Sequence, residues 1–547
     1  MLKTEELQNC SFKNIHMFTN FLNYEVNCLN CLLIKERINK TGILKNLIFR
    51  YISLLNKFKF LFEKLQNSSL SKFVFGLTIL LYESDIKNKN LSSIEFDKKL
   101  NHKNIDLNEI FDAIVIGSGP GGSLAAYELS KKYSKVLLIE SGNSYEENAV
   151  EHHSYHQTKL QFKNEGMTFC FGNIPMIYAE GNTLGGGSAV NSGLYFKLVE
   201  PYKSQLLEKC NLSDDEWSIA EKEIENSLSV QNDPGFDINS SNSILHIGSL
   251  KTNLYSNEIP RWKKYTPTEQ HQSMKVTYIK NAVEKGLKII TGCEVINIDN
   301  SSKEFIRIQY LDSDQNKFEI KSKKVVLSGG TVGTPKILKK SKLINGKIGF
   351  NFHPMFRMVA ENNTEINTGD LFPPIQSWTK DKIHKFGYSV STYPYIKATL
   401  ASLGSNSVKS EFKNLACFFS TTTLENSKGR LFFTKKNTLP FIYIRKKDRE
   451  KFKEGFKLLH NVLKKGGATE IWPKKPDKLS PMTTVHLFGS LPISVNKQIG
   501  KTGELVADHR IKISDGSILP VAPWGNPQAV IMALNLILMR NWMDKFE

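Results

Sequence analysis

A glycine-rich turn that directly follows a short apolar run limits the fold of this chain more than any other feature of its sequence. Residues 111–116, Phe-Asp-Ala-Ile-Val-Ile, have the length and apolar content of a buried strand. They lead into Gly117-x-Gly119-x-x-Gly122, after which the pattern predicts a helix and then a second strand at 135–140. A strand, a glycine turn, a helix and a strand within about 30 residues predict a dinucleotide-binding α/β unit.

Each glycine of this turn has a physical reason. Gly117 allows the chain to turn sharply, Gly119 allows the backbone to approach a pyrophosphate, and Gly122 allows the helix to pack against the strand. The helix then directs free N–H groups and the positive end of its dipole at the phosphates. Glu140 ends the second strand, where a carboxylate can accept hydrogen bonds from ribose hydroxyls and disfavours the 2′-phosphate of NADP. The motif alone leaves FAD and NAD open.

The composition is that of a globular protein with more than one domain. The chain has 547 residues, of which 40% are hydrophobic and 23% are charged, so it can bury a large core. Its net charge of +19 comes mainly from lysine, whereas nucleic-acid recognition usually depends on the bidentate arginine side chain. We therefore predict no nucleic-acid partner.

The cysteines and the amino-terminal sequence bear on the cellular location. Seven cysteines at irregular spacing do not suggest a disulfide framework, which favours a reducing, cytoplasmic environment. Cys28 and Cys31 have CxxC spacing but lack a second pair of ligands, so we predict no metal site. We recognise no secretory signal and no apolar run long enough to span a membrane.

Residues 1–108 predict a helical extension before the α/β unit. Apolar residues recur at helical spacing within residues 43–58, and residues 35–64 carry an excess of basic side chains. We interpret this N-terminal region as a subdomain that packs on the main body with a solvated basic face. The alternative is that the basic face makes peripheral contact with a membrane or meets a redox partner, and the sequence leaves it open.

The rest of the sequence returns to regular patterns. Helix and strand patterns alternate in residues 274–338, and aromatic, alternating stretches within 346–480 predict an antiparallel sheet. A long apolar helix is predicted from about Pro527. No internal repeat is visible.

Four motifs in a fixed order resemble those of one enzyme family. They are the turn at 117–122 with Glu140, the glycine-rich segment 180–193, the strand-to-helix segment 324–338, and the tail segments 514–520 and 524–527. Together they resemble the glucose–methanol–choline (GMC) oxidoreductases, which are FAD enzymes that act on alcohols. Within that family the chain is most similar to the long-chain alcohol oxidase and cholesterol oxidase branches. The resemblance covers roughly residues 110–547.

The resemblance implies an α/β fold class. It combines a discontinuous Rossmann-type FAD-binding domain with an α+β substrate-binding domain that contains an antiparallel sheet, after the N-terminal helical extension. The FAD-binding domain is expected at residues 109–200, 271–345 and 480–547, and the substrate-binding domain at residues 201–270 and 346–479.

The cofactor residues follow from the same resemblance. The expected contacts with FAD are Gly117, Gly119, Gly122, Glu140, Gly185, Gly186, Gly187, Asn191, Val295, Asp515 and Pro527. The three consecutive glycines have no side chains that would block a flat ring, and Asn191 offers both a donor and an acceptor. Some family members attach FAD covalently through a histidine at the position of Val190 here, so the resemblance implies non-covalent FAD.

His486 and Asn526 are the expected catalytic pair. They match the family's histidine and its histidine-or-asparagine partner. Because histidine titrates near neutral pH, His486 can accept the proton of an alcohol as hydride leaves for flavin N5, while Asn526 orients the oxygen. The segment His486-Leu-Phe-Gly-Ser490 lacks the proline and cysteine of the family's His-Pro-x-Gly-x-Cys. We interpret His353 as structural, and the cluster of His152, His153 and His156 as surface histidines.

The predicted function is FAD-dependent oxidation of the CH–OH group of an alcohol, with oxygen or a quinone as electron acceptor. A lipophilic substrate is suggested by apolar and aromatic residues that could equally be core, namely Phe352, Phe356, Phe372, Trp378 and Tyr388. Two alternatives remain: an FAD-dependent desaturase or isomerase acting on a lipid-like substrate, and a non-catalytic flavin-fold binding protein. A flavin spectrum tests the last, and anaerobic bleaching by alcohols separates the other two.

Overall fold

The computed structural model describes most of the chain beyond residue 104. The described residues are 100, 105–146, 149–150, 155–166, 168–174, 176–265, 270–366, 374–403, 405, 411–424, 426–434, 437–477 and 479–546. Almost all of the predicted helical extension at 1–108, with its basic face and its CxxC pair, lies outside them, as do His152, His153 and Phe372. In the part of the chain that is described, no helix is both long and apolar enough to cross a membrane.

The helices are distributed along the whole described part of the chain. They are α1 (Pro120–Lys132), α2 (Tyr155–Gln161), α3 (Tyr202–Cys210), α4 (Asp214–Ser227), α5 (Ile244–Lys251), α6 (Lys280–Val283), α7 (Gly330–Lys340), α8 (Tyr393–Ser402), α9 (Lys446–Lys465) and α10 (Gln528–Asp544).

The strands are mostly short. Before residue 330 they are β1 (Ile110–Ile116), β2 (Val136–Ile139), β3 (Thr168–Gly172), β4 (Met176–Tyr178), β5 (Val230–Gln231), β6 (Tyr255–Glu258), β7 (Arg261–Lys264), β8 (Gln270–His271), β9 (Lys288–Ile290), β10 (Glu294–Asp299), β11 (Ile306–Leu311) and β12 (Lys317–Leu327). After it they are β13 (Ile348–Phe352), β14 (Met355–Glu361), β15 (Ile375–Trp378), β16 (His384–Tyr388), β17 (Leu415–Thr422), β18 (Lys428–Phe433), β19 (Thr438–Tyr443), β20 (Glu470–Trp472), β21 (Met482–Thr484), β22 (Leu487–Phe488), β23 (Glu504–Leu505) and β24 (Asp508–Ile513).

The first sheet contains the predicted dinucleotide unit. β1 and β2 are parallel neighbours joined through α1, and β9 continues the parallel sheet beyond β2. β12 lies on the other side of β1; its first half pairs with β11 and its last residues pair with β24. All four residues of β2 are buried, as expected for a parallel strand covered on both faces. Helix α10 packs along α1 and is buried nearly all round, which explains its continuous apolar sequence.

The second sheet is larger and mainly antiparallel. Its strands follow the order β22-β13-β18-β19-β3-β4-β21-β14-β17-β16-β15-β6, with β20 paired to β14. Side chains alternate between the two faces along each strand. On β14, Phe356 packs against Phe452 and Phe456 of α9, so one face of the sheet is closed by that helix. Met355 and Arg357, the neighbours of Phe356 on β14, point to the other face.

The two sheets confirm the predicted mixed α/β fold with an antiparallel sheet. They do not follow the expected domain boundaries everywhere, because β3, β4, β21 and β22 come from segments assigned to the FAD-binding domain yet pair within the large sheet. The division into two domains therefore stays a prediction. A small third sheet, in the order β5-β7-β8, lies beside them.

Candidate functional site

One cavity of about 550 Å³ lies between the two sheets. At one end it is lined by the glycine turn after β1, including Gly117 and Gly119. At the other end it is lined by His486 and Asn526, and its wall there is the open face of the large sheet. The cavity thus brings together the expected nucleotide turn and the expected catalytic pair, which are far apart in sequence.

The glycine turn has the geometry that its sequence predicts. Gly117 has a φ of +96°, and a Cβ there would lie 2.3 Å from the carbonyl oxygen of Ser328. A Cβ on Gly122 would lie 2.0 Å from the carbonyl oxygen of Gly117, so the start of α1 packs directly on the turn. By contrast, a Cβ on Gly119 would have no atom within 4 Å, and no side chain caps α1 at this residue. Open space and uncapped N–H groups therefore coincide at the helix N-terminus.

The Glu140 carboxylate joins the turn to the end of β2. One of its oxygens accepts hydrogen bonds from the backbone N–H and the hydroxyl of Ser118, at 2.9 and 2.6 Å. The other accepts from the N–H of Gly142 at 2.9 Å and from the Ser141 hydroxyl at 3.2 Å. Glu140 lines the cavity, although its four acceptor positions are already used. A ribose hydroxyl would therefore replace one of the two serine hydroxyls, which can rotate.

The second glycine-rich segment lies directly against the first. Gly185 and Gly186 have φ values of +96° and +56°, and a Cβ on Gly186 would lie 2.7 Å from the Cα of Gly119. The hydroxyl of Ser118 accepts a hydrogen bond from the Gly185 N–H at 2.9 Å. A Cβ on Gly187 would have no atom within 4 Å, and Gly187 lines the cavity. This segment therefore presents bare backbone next to the nucleotide turn.

The expected polar residues around this wall are held by the protein itself. The Asn191 side-chain amide donates to Gln528 at 2.7 Å, and its oxygen accepts from the N–H of Gly193. Asp515 accepts from the N–H of Gly330 at 2.9 Å and from that of Ser517 at 2.8 Å, so its carboxylate fastens the start of α7 to the tail. Burial raises the pKa of Asp515.

These features fit a flavin dinucleotide. The glycine wall leaves room at Gly119 and Gly187 that a side chain would fill, and the cavity continues without interruption to His486 and Pro527. Gly122 and Gly185 lie behind this lining, and Val295 is buried in β10 away from it. The contacts of individual residues with FAD stay predictions.

His486 forms a pair with His353 that the sequence did not predict. The two Nδ1 atoms lie 3.2 Å apart and the rings meet edge to face. The backbone N–H of His353 also donates to the backbone carbonyl oxygen of His486 at 3.2 Å. This bond continues the pairing of β13, which ends at Phe352, with β22, which begins at Leu487. His353 thus lies in the cavity in direct contact with the expected base. The only sequence signal for His353 was its position in the segment 349–354, which resembles a loop found in long-chain alcohol oxidases.

Burial favours the neutral form of both imidazoles. Burial lowers the pKa of His353 to about 3, helped by the positive charge of Lys385. Burial, His353 and Lys385 hold the pKa of His486 well below its usual range. A neutral imidazole can accept a proton, so the pair is in the form that base catalysis needs.

Asn526 is available to a ligand. It is half-buried, it lines the cavity, and its carboxamide has no hydrogen-bond partner among the described residues. A further carboxamide, that of Gln376, is buried with an unsatisfied oxygen in the same cavity. Of the aromatic residues suggested for a lipophilic pocket, Tyr388 lines this cavity, whereas Phe352 and Phe356 are fully buried and do not.

Comparison with known proteins identifies the same family that the motifs resemble. Residues 158–355 match the model of the GMC oxidoreductase family. An uncharacterised GMC-type oxidoreductase of Sinorhizobium fredii is 22% identical over 470 residues, which cover 77% of this chain and 92% of that protein. A long-chain-alcohol oxidase of Arabidopsis thaliana is 24% identical over 508 residues, which cover 79% of this chain and 68% of that protein.

Solved structures show the same fold. Pyridoxine 4-oxidase from Mesorbium loti superposes with a TM-score of 0.63 over 79% of this chain and 99% of its own, at 14% identity. A formate oxidase gives a TM-score of 0.64 at 13% identity, over 81% of this chain and 99% of its own. At such identities the likeness speaks for the fold alone. The family match and the oxidase relatives support FAD-dependent oxidoreduction. The chain is a relative of the GMC oxidoreductases, as its four motifs indicated.

Proposed function

We propose that this chain is an FAD-dependent oxidoreductase that acts on the CH–OH group of an alcohol, with His486 as the general base. The observation that carries the proposal is the His353–His486 pair at the far end of a cavity that begins at the dinucleotide turn. FAD, when bound, supplies the hydride acceptor. The hydroxyl proton of the substrate passes to His486, and the C–O bond becomes a carbonyl as the C–H electron pair leaves with the hydrogen.

The histidine pair suggests which nitrogen acts as the base. The carbonyl oxygen of Pro523 partly offsets the lowering of the pKa of His353, which indicates that it faces a ring N–H of that residue. A neutral His353 has one N–H, and if that N–H points to Pro523, its Nδ1 is an acceptor. The 3.2 Å contact then requires Nδ1–H on His486, which leaves Nε2 of His486 unprotonated. We assign Nε2 of His486 as the proton acceptor on this basis, and His353 as the residue that positions it.

Asn526 and the glycine wall supply orientation. The unpartnered carboxamide of Asn526 can donate to the substrate oxygen without exchanging a proton, which fixes the angle of the CH–OH group. The bare backbone at Gly187 leaves a flat surface on the other side of the cavity. We propose non-covalent FAD, since Val190, a residue without a nucleophile, lines the cavity where covalently flavinylated relatives carry histidine.

The substrate and acceptor are also proposals. An alcohol substrate is supported by the long-chain-alcohol oxidases among the relatives, and oxygen or a quinone is the proposed acceptor. A cytoplasmic location, with peripheral membrane contact through the basic N-terminal region, stays a prediction because that region lies outside the described residues.

Anaerobic reduction of the flavin tests the proposal. We expect purified protein to carry an FAD spectrum and to bleach on mixing with alcohols without oxygen. The variant His486→Ala should keep the spectrum and lose bleaching by at least about 100-fold, because general bases contribute at least that much. The control His509→Ala changes a largely exposed histidine of β24, outside the cavity lining, and should bleach normally.

The outcomes separate the alternatives. A protein that never binds flavin would favour a non-catalytic role. Flavin that alcohols leave oxidised, but that a lipid-like substrate converts or reduces, would favour a desaturase or isomerase. Equal rates for the wild type and His486→Ala would remove His486 from its role.

A further inference from the structure

Two basic side chains line the substrate side of the cavity without a carboxylate partner. Arg357 lies on β14 and Lys385 on β16, and both belong to the open face of the large sheet. In the described part of the chain neither forms a salt bridge. The described lining residues between 353 and 487 include no aspartate or glutamate. At Arg357 this wall therefore carries a positive charge that no carboxylate offsets.

The guanidinium of Arg357 is only partly satisfied. Its Nε donates to the Ser389 hydroxyl at 3.0 Å, and one Nη1 N–H donates to the Thr483 hydroxyl at 2.8 Å. Of its five N–H donors, three have no partner among the described residues. Both existing partners are neutral hydroxyls, which fix the direction of the side chain but do not offset its charge. Arg357 is thus held in place with free donors that can reach a ligand.

Lys385 is buried with aromatic rings as its main contacts. It is only 5% exposed, and its Nζ lies 5.0 Å from the centre of the Phe196 ring and 5.7 Å from that of Trp524. Burial lowers the pKa of Lys385 to about 7, and in its protonated form it lowers the pKa of both His353 and His486. Lys385 therefore lies toward the catalytic end of the wall, with Arg357 farther along it.

An unpaired cation in a cavity wall lowers the stability of the folded protein unless a ligand supplies the counter-charge. Removing a charged group from water without a partner costs several kcal/mol, and arginine cannot avoid the cost by losing its proton. Arg357 is half-buried in the cavity wall, so part of this cost applies to it. The planar guanidinium fork matches a carboxylate, which takes two parallel hydrogen bonds from it.

We propose that Arg357 binds a carboxylate at the far end of the substrate, so that the substrate is an alcohol that also carries a carboxylate. This inference rests on the proposed alcohol oxidation and narrows its substrate class. Arg357 is four positions after His353 in the sequence, so their Cα atoms are at most about 14 Å apart. The hydroxyl and the carboxylate should accordingly be separated by a carbon chain. We expect ω-hydroxy acids of medium length to fit and 2-hydroxy acids, with the two groups on adjacent carbons, to fit poorly.

Calorimetry on the FAD-loaded protein tests the carboxylate site directly. Octanoate is the probe and octanamide is its neutral counterpart. We expect octanoate to bind the wild type at least about 10-fold more tightly than octanamide, and Arg357→Gln to lose that difference, since a charged hydrogen bond contributes about 1.5–3 kcal/mol. Arg430→Gln removes the same charge from an exposed position of β18, outside the cavity, and should bind octanoate as the wild type does.

Substrate preference supplies the second measurement. In anaerobic reduction, ω-hydroxyoctanoate should reach half-maximal rate at a lower concentration than octanol in the wild type, and glycolate should be poor. Arg357→Gln should remove this preference. If that variant does not fold, Arg357→Lys, which keeps the charge but loses the planar fork, should show an intermediate preference.

The two proposals can fail separately. Octanoate binding that does not depend on the charge at 357, or octyl phosphate binding more tightly than octanoate, would overturn the carboxylate site even if octanol reduces the flavin. Conversely, octanoate binding that depends on Arg357, in a protein that no alcohol reduces, would support the site and reject alcohol oxidation.

Discussion

The imidazole of His353 should remain neutral down to about pH 5, and the pKa of His486 should lie well below its usual value. Burial lowers the pKa of His353 to about 3, and burial with two neighbouring groups holds the pKa of His486 well below its usual range. In an unfolded chain each histidine has a pKa of about 6.5. At pH 5, a group with a pKa of about 3 is protonated in about one molecule in a hundred, whereas an unperturbed imidazole is protonated in nearly all.

This difference makes acid destabilise the fold. Below about pH 6.5 the unfolded chain takes up protons that the folded chain does not, so the free energy of unfolding falls as the pH falls. For His353 the loss extends from about pH 6.5 to about pH 3. It amounts to at most about 1.4 kcal/mol per pH unit, or about 2 kcal/mol between pH 6.5 and 5. The stabilising contribution of neutral His353 is fully present above pH 6.5.

Histidine-selective NMR on the FAD-loaded protein measures the effect. The ring signals of His353, assigned from His353→Gln, should not shift between pH 8 and 5. Those of His486, assigned from His486→Gln, should show no midpoint near pH 6.5. The rate of anaerobic flavin reduction should likewise show no acid limb near pH 6.5 that can be assigned to His486. A midpoint near 6.5 for either ring would refute the reasoning, because it would mean that water reaches the pair freely.

Four further predictions follow from the same geometry. Gly119→Ala should fold normally yet bind FAD at least about 10-fold more weakly, because the added Cβ enters the open space at the turn. The control Gly333→Ala adds a Cβ that is also free of close contacts but lies outside the cavity, so it should bind FAD normally. Fluorescence titration of the apoprotein with FAD distinguishes the two variants. Asp515→Ala should lower the free energy of unfolding by about 3 kcal/mol, because several buried donors lose their acceptor; an unchanged denaturation midpoint would speak against this role. Asn526→Ala should slow flavin reduction by about 100-fold while the spectrum is retained, and an unchanged rate would exclude it from substrate orientation. Acid precipitation should leave all flavin in the supernatant, and yellow precipitate would contradict non-covalent binding.

Local patterns in the sequence predict much of the first sheet. The strand expected at 111–116 is Ile110–Ile116, and the second strand expected at 135–140 is Val136–Ile139. These elements depend on short apolar runs and on glycines with a clear steric purpose. The sequence signal and the physical cause therefore lie within the same few residues.

Other elements depend on distant contacts. Helix α9 lies in a region predicted as sheet with loops, although Phe452, Phe456, Leu459 and Leu463 recur at helical spacing and are all buried. The aromatic content of the neighbouring strands outweighed that pattern. The family motifs allowed us to predict that the glycine-rich segments lie together around the cofactor. They did not predict the strand pairing of the large sheet.

The residues on the substrate side of the cavity likewise could not be predicted from local sequence patterns. Arg357 and Lys385 line it because of the register of β14 and β16 in the sheet, and a shift of one residue would turn each of these side chains to the opposite face. No local pattern reports that register. The expected catalytic residue His486 was found through resemblance. Its partner His353 became visible only when β13, which ends just before His353, was paired with β22, which begins just after His486.

A crystal structure of the FAD-loaded protein with bound octanoate tests the account most directly. We expect the flavin ring against Gly186 and Gly187, Nε2 of His486 and the Asn526 amide on its open side, and the carboxylate on Arg357. A flavin ring placed elsewhere in the cavity, or a His486 imidazole turned away from the ring with Nε2 bonded to protein, would contradict it.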